Sequence, residues 1–343
     1  MEKLLKNHIK IFRYLGICPF ELTNHGKLKL LKTSLIYTIV VLLTIDTLYI
    51  INLISFLKKI SKWNKHQSFV AGMFLILLPL TINIAVVYII TKKTQLESVI
   101  KIFVNFKNKF PEFIPETKLK YYPICPTFID LVIIFVDVLD ELVFVEYIPY
   151  LYLFGILVFF TRTVIISKSC LVHMQQFLKN KGDVTSLPLI LEAHDLILDS
   201  CANINSVFGP FLLGTISVSF LYLTIGIYCF TLSHATPLGY IHYTLIVFAN
   251  LSLLYGLADL CVSTIDDSLQ IKQQLTKLVY QDYSRKFDNY RVIVMFQIIQ
   301  NRNPEFTAYK FFNISFNMIG SIVAVICTYV IILIQFDISV EPQ

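Results

Sequence analysis

Polar side chains inside apolar helices are where this sequence has the means to do chemistry, and the densest run lies near its C-terminus. Wound at 100° per residue, the stretch Phe311–Phe336 brings Asn313, Asn317, Ser321, Thr328 and Gln335 into roughly an 80° arc, shared only with Ala324 and Ile331. No charge interrupts the stretch. Amides and hydroxyls in such a stripe have two uses. They can hydrogen-bond to other helices of the same bundle, at about 0.6 kcal/mol each on average. Alternatively, several copies turn the stripe toward a common axis, where weak uncharged ligands line a water-filled conduit and let ions leave again. Periodicity alone does not separate the two.

Ionisable groups within apolar stretches form the second set. Each costs about 2.5–3.5 kcal/mol near a bilayer centre and so needs a partner or a purpose. Asp130, Arg162 and Asp259 lie at similar depth, about five residues or ~8 Å inside their stretches, and can pair as a structural cluster. Asp46 and Asp137 sit near mid-depth with no cation of the chain beside them. Asp140 and Glu141 lie one turn beyond, and Asp137 and Glu141 share a helix face. Such carboxylates are protonated, open to water, or matched by something that enters. Tyr147, Tyr150, Tyr152, Tyr222, Tyr228, Tyr240 and Tyr243 cluster at the same end, with His242 and Asn250. Acids beside aromatic faces attract cations. The competing reading is an interfacial aromatic belt, favoured for Tyr147 and Tyr240 at stretch ends and less so for the deeper Tyr222.

Other chemistry finds no support. There is no His-Glu-x-x-His, Gly-x-Ser-x-Gly, Walker loop or dinucleotide glycine pattern, so no enzyme and no cofactor is expected. The seven cysteines are scattered, without a Cys-x-x-Cys pair, and predict neither disulfides nor a metal site. Glu192, His194 and Asp195 read as a solvated helix surface. The excess of basic residues is explained by membrane topology below and calls for no nucleic acid.

Those groups need helices in lipid to position them. The chain is 56% hydrophobic and only 15% charged, against about 25% charged in soluble domains. About 20 apolar residues cross the hydrocarbon core. Seven stretches suffice: Thr33–Leu57, Gln67–Ile90, Pro126–Val145, Ile148–Ser167, Phe208–Leu232, Tyr240–Ser263 and Phe311–Phe336. The third carries four acids, and the third and fourth are separated only by a few residues around Tyr147 and Pro149. No cleavable leader is visible before Lys32, so the first stretch acts as its own signal.

Of 29 lysines and arginines, 24 fall on one side, in the N-terminal segment, residues 91–125, 168–207 and 264–310. Four (Lys58, Lys59, Lys62 and Lys65) fall on the other, and Arg162 lies within a span. The positive-inside rule then predicts a cytosolic N-terminus and an extracellular C-terminus, opposite to a G-protein-coupled receptor. Ile190, Ala193, Ile197, Cys201 and Ile204 recur at helical spacing, and similar patterns occupy Lys168–Leu178, Ile265–Val279 and Tyr290–Gln300. They predict cytosolic extensions of spans four to six packed into an inner helical domain, with surface helices lying on the membrane as the other reading. The expected organisation is a cytosolic segment 1–32, spans one to four with their loops over 33–207, spans five and six over 208–263, an inner helical segment 264–310, the last span 311–336 and an outer tail 337–343.

The C-terminal span ends Thr328-Tyr329-Val330-Ile331-Ile332-Leu333-Ile334-Gln335-Phe336. Thr-Tyr, five apolar residues, then Gln-Phe resembles the signature of the insect gustatory receptor family. Phe306-Thr307-Ala308 and Asn205-x-x-Phe208-Gly209-x-x-Leu212-Leu213 are similar to further family patterns. Lys310, where a small residue is usual, departs from it, and the chain is shorter than most members. The resemblance is specific over roughly 189–336 and architectural before that. It implies an all-α, seven-helix, ligand-gated, non-selective cation channel in chemosensory neurons, a homo- or heterotetramer of gustatory receptor subunits in the plasma membrane. Gln335 and Phe336 would form the outer constriction, with Thr328, Ser321 and Ile331 or Ile332 along the conduit and Tyr329 packing on spans five and six. The ligand would enter the outer half of the bundle, where Asp137, Asp140, Glu141, Tyr150, Tyr222, Tyr243, His242 and Asn250 gather. These residues suit a polar or cationic tastant, bitter rather than sugar. An odorant receptor subunit and, less well, a secondary transporter are the alternatives; no internal repeat of the transporter kind is visible.

Overall fold

The computed structural model describes residues 2–23, 27–59, 65–113, 144–181, 186–231, 237–283, 297 and 301–340. Helix α1 (Glu2–Tyr14) leads through an antiparallel ribbon, β1 (Phe20–Leu22) with β2 (Leu28–Leu30), into α2 (Lys32–Lys59), α3 (Lys65–Thr91) and α4 (Lys93–Lys109). A single 3-10 turn, Pro111–Phe113, follows. Then come α5 (Phe144–Lys181), α6 (Leu187–Thr231), α7 (Pro237–Tyr283), a second ribbon, β3 (Thr307–Ala308) with β4 (Phe312–Asn313), and α8 (Phe316–Val340).

Stretches of α2, α5, α6, α7 and α8 are long and apolar enough to cross a membrane, whereas α3 and α4 meet the same measure only when taken together across a 66° bend. The five overlap the first, fourth, fifth, sixth and seventh expected spans; α3 overlaps the second, Gln67–Ile90, while α4 falls in residues expected to form an inner loop. The third falls outside the described residues but for Phe144 and Val145, which already open α5. Tyr147 and Pro149, expected in a break, are therefore helical.

Helices α6 and α7 hold 45 and 47 residues. At 1.5 Å per residue each is ~70 Å long, more than twice the ~30 Å hydrocarbon thickness. Their apolar faces simply continue past the membrane. Ile190, Ala193, Ile197, Cys201 and Ile204 are all buried, so the first part of α6 lies inside a packed unit rather than on a membrane surface. Helix α6 is the hub, touching α3, α4, α5, α7, α8 and β3. Phe208 fixes its middle, edge-on to Phe159 at 5.4 Å and Phe160 at 5.7 Å, a geometry that aromatic quadrupoles favour. Phe12 of α1 stacks on Phe159 at 4.5 Å, tying the N-terminal helix to the same core.

The last helix differs from the expected Phe311–Phe336. Residues 312–313 are claimed by the ribbon, Ser315 receives the Met318 N–H on both its carbonyl and its hydroxyl, and the helix opens at Phe316 and runs to Val340. Ser at this place is a favoured N-cap. Asn313 is thus a strand residue, and the polar stripe begins at Asn317.

Candidate functional site

Helix α8 packs on α6 and α7 through one narrow ridge. Met318, Ile326 and Val330 are buried and Ile322 half-buried, a four-residue repeat that keeps one face inward. Asn317, Ser321, Thr328 and Gln335 are exposed. On the helical wheel they lie roughly 150° from the ridge. The stripe therefore takes no part in packing α8 on its own chain. Ser321 donates to the Asn317 carbonyl and Thr328 to the Ala324 carbonyl, both at 3.0 Å, so the hydroxyls are content within their own helix. Ile331 and Ile332 are exposed beside them. Tyr329 sits on the flank, its ring edge-on to Phe220 of α6 at 6.1 Å. Phe336 lies in α8 with its side chain outside the described set.

The footing of α8 is the β3–β4 ribbon, and its attachments involve motifs whose partnership the sequence did not disclose. The Asn205 amide on α6 grips Thr307 twice, donating from Nδ2 to Oγ1 at 3.0 Å and accepting the Thr307 N–H on Oδ1 at 2.9 Å. One turn further on, Gly209 lets the ribbon come close. A Cβ there would sit 3.3 Å from the Tyr309 nitrogen, tighter than packed atoms normally approach. Phe306 lies edge-on to Phe160 at 6.4 Å. The turn itself is costly. Phe311 donates to the Ala308 carbonyl at 3.0 Å, and between them Tyr309 (φ 51°) and Lys310 (φ 65°) both adopt the left-handed region. Two positive φ values make a type I′ hairpin turn, normally filled by Asn-Gly, and each ordinary side chain there costs roughly 1–2 kcal/mol. Tyr309 is steadied by a 3.1 Å hydroxyl contact with Tyr88 of α3.

Polar groups close the opposite side of the same region. Arg302 bridges Asp195 and Asp199, one helical turn apart on α6, the second at 2.5 Å. These bonds hold its guanidinium charged beyond the usual arginine range. Lys272 of α7 donates to the Arg302 carbonyl and, at 2.6 Å, to Asn303 Oδ1; burial, then the nearby Arg302, lowers its affinity for a proton. The sequence-based placement of His194 on a solvated surface is wrong. It is fully buried, facing Ser268 of α7 at 2.9 Å. Burial first, and Lys272 next, push its pKa down to about 3. Glu192 pairs instead with Lys109 of α4. Asp195 and Asp199 stand i,i+4 on α6, and their shared cation comes from more than a hundred residues away.

The expected ligand-binding residues are only partly in view. Asp137, Asp140 and Glu141 lie outside the described residues, as does Asp130. Tyr150 and His242 are on α5 and α7 with side chains outside the described set. Tyr222 is half-buried on α6, and Asn250 turns back to donate to Ile246 of its own helix at 2.9 Å. Tyr243 lines a groove of about 300 Å³ between the ends of α6 and α7, with Ile227, Phe230, Thr244, Val247, Phe248 and Leu251. Its walls are almost wholly apolar. Asp46 has a partner the sequence did not predict, the Asn83 amide of α3 at 2.9 Å. Arg162 and Asp259 are each half-buried, on α5 and α7. No group of three or more metal-ligating side chains occurs among the described residues.

The sequence matches the family model described as 7tm chemosensory receptor over residues 5–340. The fold is similar to that of the insect olfactory receptor OR5 from Machilis hrabei in complex with eugenol, with a TM-score of 0.70 at 16% identity, covering 97% of this chain and 98% of that one. The same receptor solved without eugenol in its description aligns over the same shares, with a TM-score of 0.66 at 16% identity. No curated protein matches the sequence.

Proposed function

Because the chain belongs to the 7tm chemosensory receptor family, a family of receptors and not enzymes, we propose that it is a gustatory receptor acting as a ligand-gated, non-selective cation channel. One observation carries this reading: the polar stripe of α8 points away from its own bundle. In lipid an amide facing hydrocarbon is costly, so Asn317 and Gln335 weigh most here; the Ser321 and Thr328 hydroxyls are already satisfied within the helix. The stripe is at home against water on an axis shared by neighbouring copies, each contributing one α8. Gln335 and Phe336 form the outer constriction, and Thr328, Ser321 and Ile331 or Ile332 line the passage. Four subunits, alike or mixed, assemble in the plasma membrane of chemosensory neurons, N-terminus inside, as the 24-to-4 basic asymmetry supports.

The ligand is a small tastant bound in the outer half of the bundle. The Machilis hrabei receptor with this fold is described in complex with eugenol, which supports a small-molecule guest. The acids Asp137, Asp140 and Glu141 favour a polar or cationic one, and the groove beside Tyr243 supplies an apolar wall. An odorant receptor subunit is the second reading, supported by the fold likeness; the Thr328-Tyr329…Gln335-Phe336 ending favours the gustatory one. Calcium imaging of a non-neuronal cell exposed to a tastant panel tests the proposal. A response of the wild type that Gln335→Arg abolishes is expected, since a cation in the constriction repels cations. Equal responses from both would remove α8 from the pore.

A further inference from the structure

The strained turn beneath α8 carries a lysine where glycine would cost nothing. Residues kept in sparsely populated backbone conformations point to a use for their side chains, and the surroundings of Lys310 indicate which. Phe311 beside it is 75% exposed and Tyr309 is 50% exposed, an unusual display for a turn unless apolar medium meets it. The Tyr309 hydroxyl contacts Tyr88 at 3.1 Å. One helical turn after Tyr88 come Lys92 and Lys93, at the bend between α3 and α4, and the first turn of α4 bears no acid. Glu97, the next acid along α4, is bonded by Lys101 at 2.8 Å and feels the Lys93 charge only at longer range. No described ion pair uses Lys92, Lys93 or Lys310. Three cations thus flank two exposed aromatic rings at the end of two spans, the composition of a headgroup-level membrane contact.

We propose that the turn Ala308–Phe311, together with Lys92 and Lys93, binds the phosphate-bearing headgroup of an anionic lipid such as phosphatidylserine. The aromatic rings rest among the acyl chains, and the lipid braces the footing from which α8 rises. The leaflet is the inner one if the orientation proposed above holds; the site itself does not depend on channel activity. Lys310 is the lipid-reading residue peculiar to this turn.

Equilibrium binding to purified full-length protein in detergent provides the test, with dioctanoyl phosphatidylserine, dioctanoyl phosphatidylcholine and inorganic phosphate as probes. The anionic lipid should bind and the other two should not at the same concentration. Each lysine near an anionic surface is worth roughly a fivefold change in affinity, so Lys310→Gln should weaken binding about fivefold and the triple Lys92→Gln/Lys93→Gln/Lys310→Gln variant about a hundredfold. Lys310→Gly separates binding from structure: it should raise the melting temperature by relieving φ, yet weaken lipid binding as much as Lys310→Gln. Equal affinity for both lipids, competition by phosphate at equal concentration, or unchanged affinity in the Lys310 variants would overturn the proposal. Since no current is measured, failure here and failure of the channel reading are distinguishable.

Discussion

Single cysteines placed along α8 should react with a charged, water-soluble thiosulfonate in a pattern that follows the stripe. The background needs Cys327→Ser, because Cys327 is exposed on α8 itself, Cys229→Ser, because Cys229 is only half-buried, and Cys125→Ser; Cys18, Cys170, Cys201 and Cys261 are buried. The size of the effect follows from thiolate chemistry. The thiolate is the reactive form, and a thiol in water has a pKa of about 8.5, leaving roughly 7% ionised at pH 7.4. Burial pushes Cys170 and Cys201 up to about 12, which leaves roughly 0.003% by the same relation. Cysteine at Asn317, Ser321, Thr328 or Gln335 should therefore react about three orders of magnitude faster than at the buried Ile326 or Val330. An exposed position well off the stripe, Val323, decides what covers the remainder: in hydrocarbon it too should stay slow. Modification rates come from loss of free thiol in intact membranes over time. If Val323 reacted as fast as Thr328, or if the stripe were inert, the aqueous axis would not exist and the assignment of α8 would fall.

Removing the Asn205 amide by Asn205→Ala strands the buried Thr307 N–H and should cost about 1–3 kcal/mol, seen as a lower melting temperature that Asn205→Asp, which can still accept that N–H, partly restores. His194 should make stability fall in acid. Its folded pKa of about 3 lies below the unfolded 6.5, so the unfolded chain takes up the proton first, and stability is lost from pH 6.5 downward until about pH 3 is reached. Between pH 6.5 and 5 that amounts to about 2 kcal/mol; His194→Gln should show a flatter denaturation-versus-pH curve, and an unchanged slope would contradict the buried neutral imidazole. Arg302→Gln removes two ion pairs whose members are more than a third exposed, so screening limits the loss to about 1 kcal/mol, shrinking toward nothing in 1 M salt; thermal melts at two salt concentrations read this directly.

Lipid as solvent makes long-range composition and helical period dominate, and both are written in the sequence. Apolar length alone marked Thr33–Leu57 and Phe208–Leu232, because nothing but a helix satisfies its backbone in hydrocarbon. The repeat from Ile190 to Ile204 likewise foretold that α6 continues beyond the membrane, since a buried face must keep the 3.6-residue period wherever it packs. The α8 stripe was also legible, as an arc without a direction. Which way it turned depended on which side chains found neighbours, and Met318, Ile326 and Val330 did so against α6 and α7.

Contacts between distant segments were beyond the reach of period and composition. Asn205 and Thr307 each resembled family patterns, yet that one holds the other depends on the return of the chain after α7. His194 looked solvated because its neighbours Glu192 and Asp195 are charged. It is buried because adjacent residues on a helix point about 100° apart, and α7 happens to cover that side. Asn313 was counted with the last helix since amides suit its arc; the pairing of β4 with β3, closed by two residues in left-handed conformation, took it away. Local sequence thus set which segments are helical and how far they run, because those choices are made by solvent and backbone. The docking of one segment on another, and with it the side of α8 left open, was decided only when the whole bundle closed.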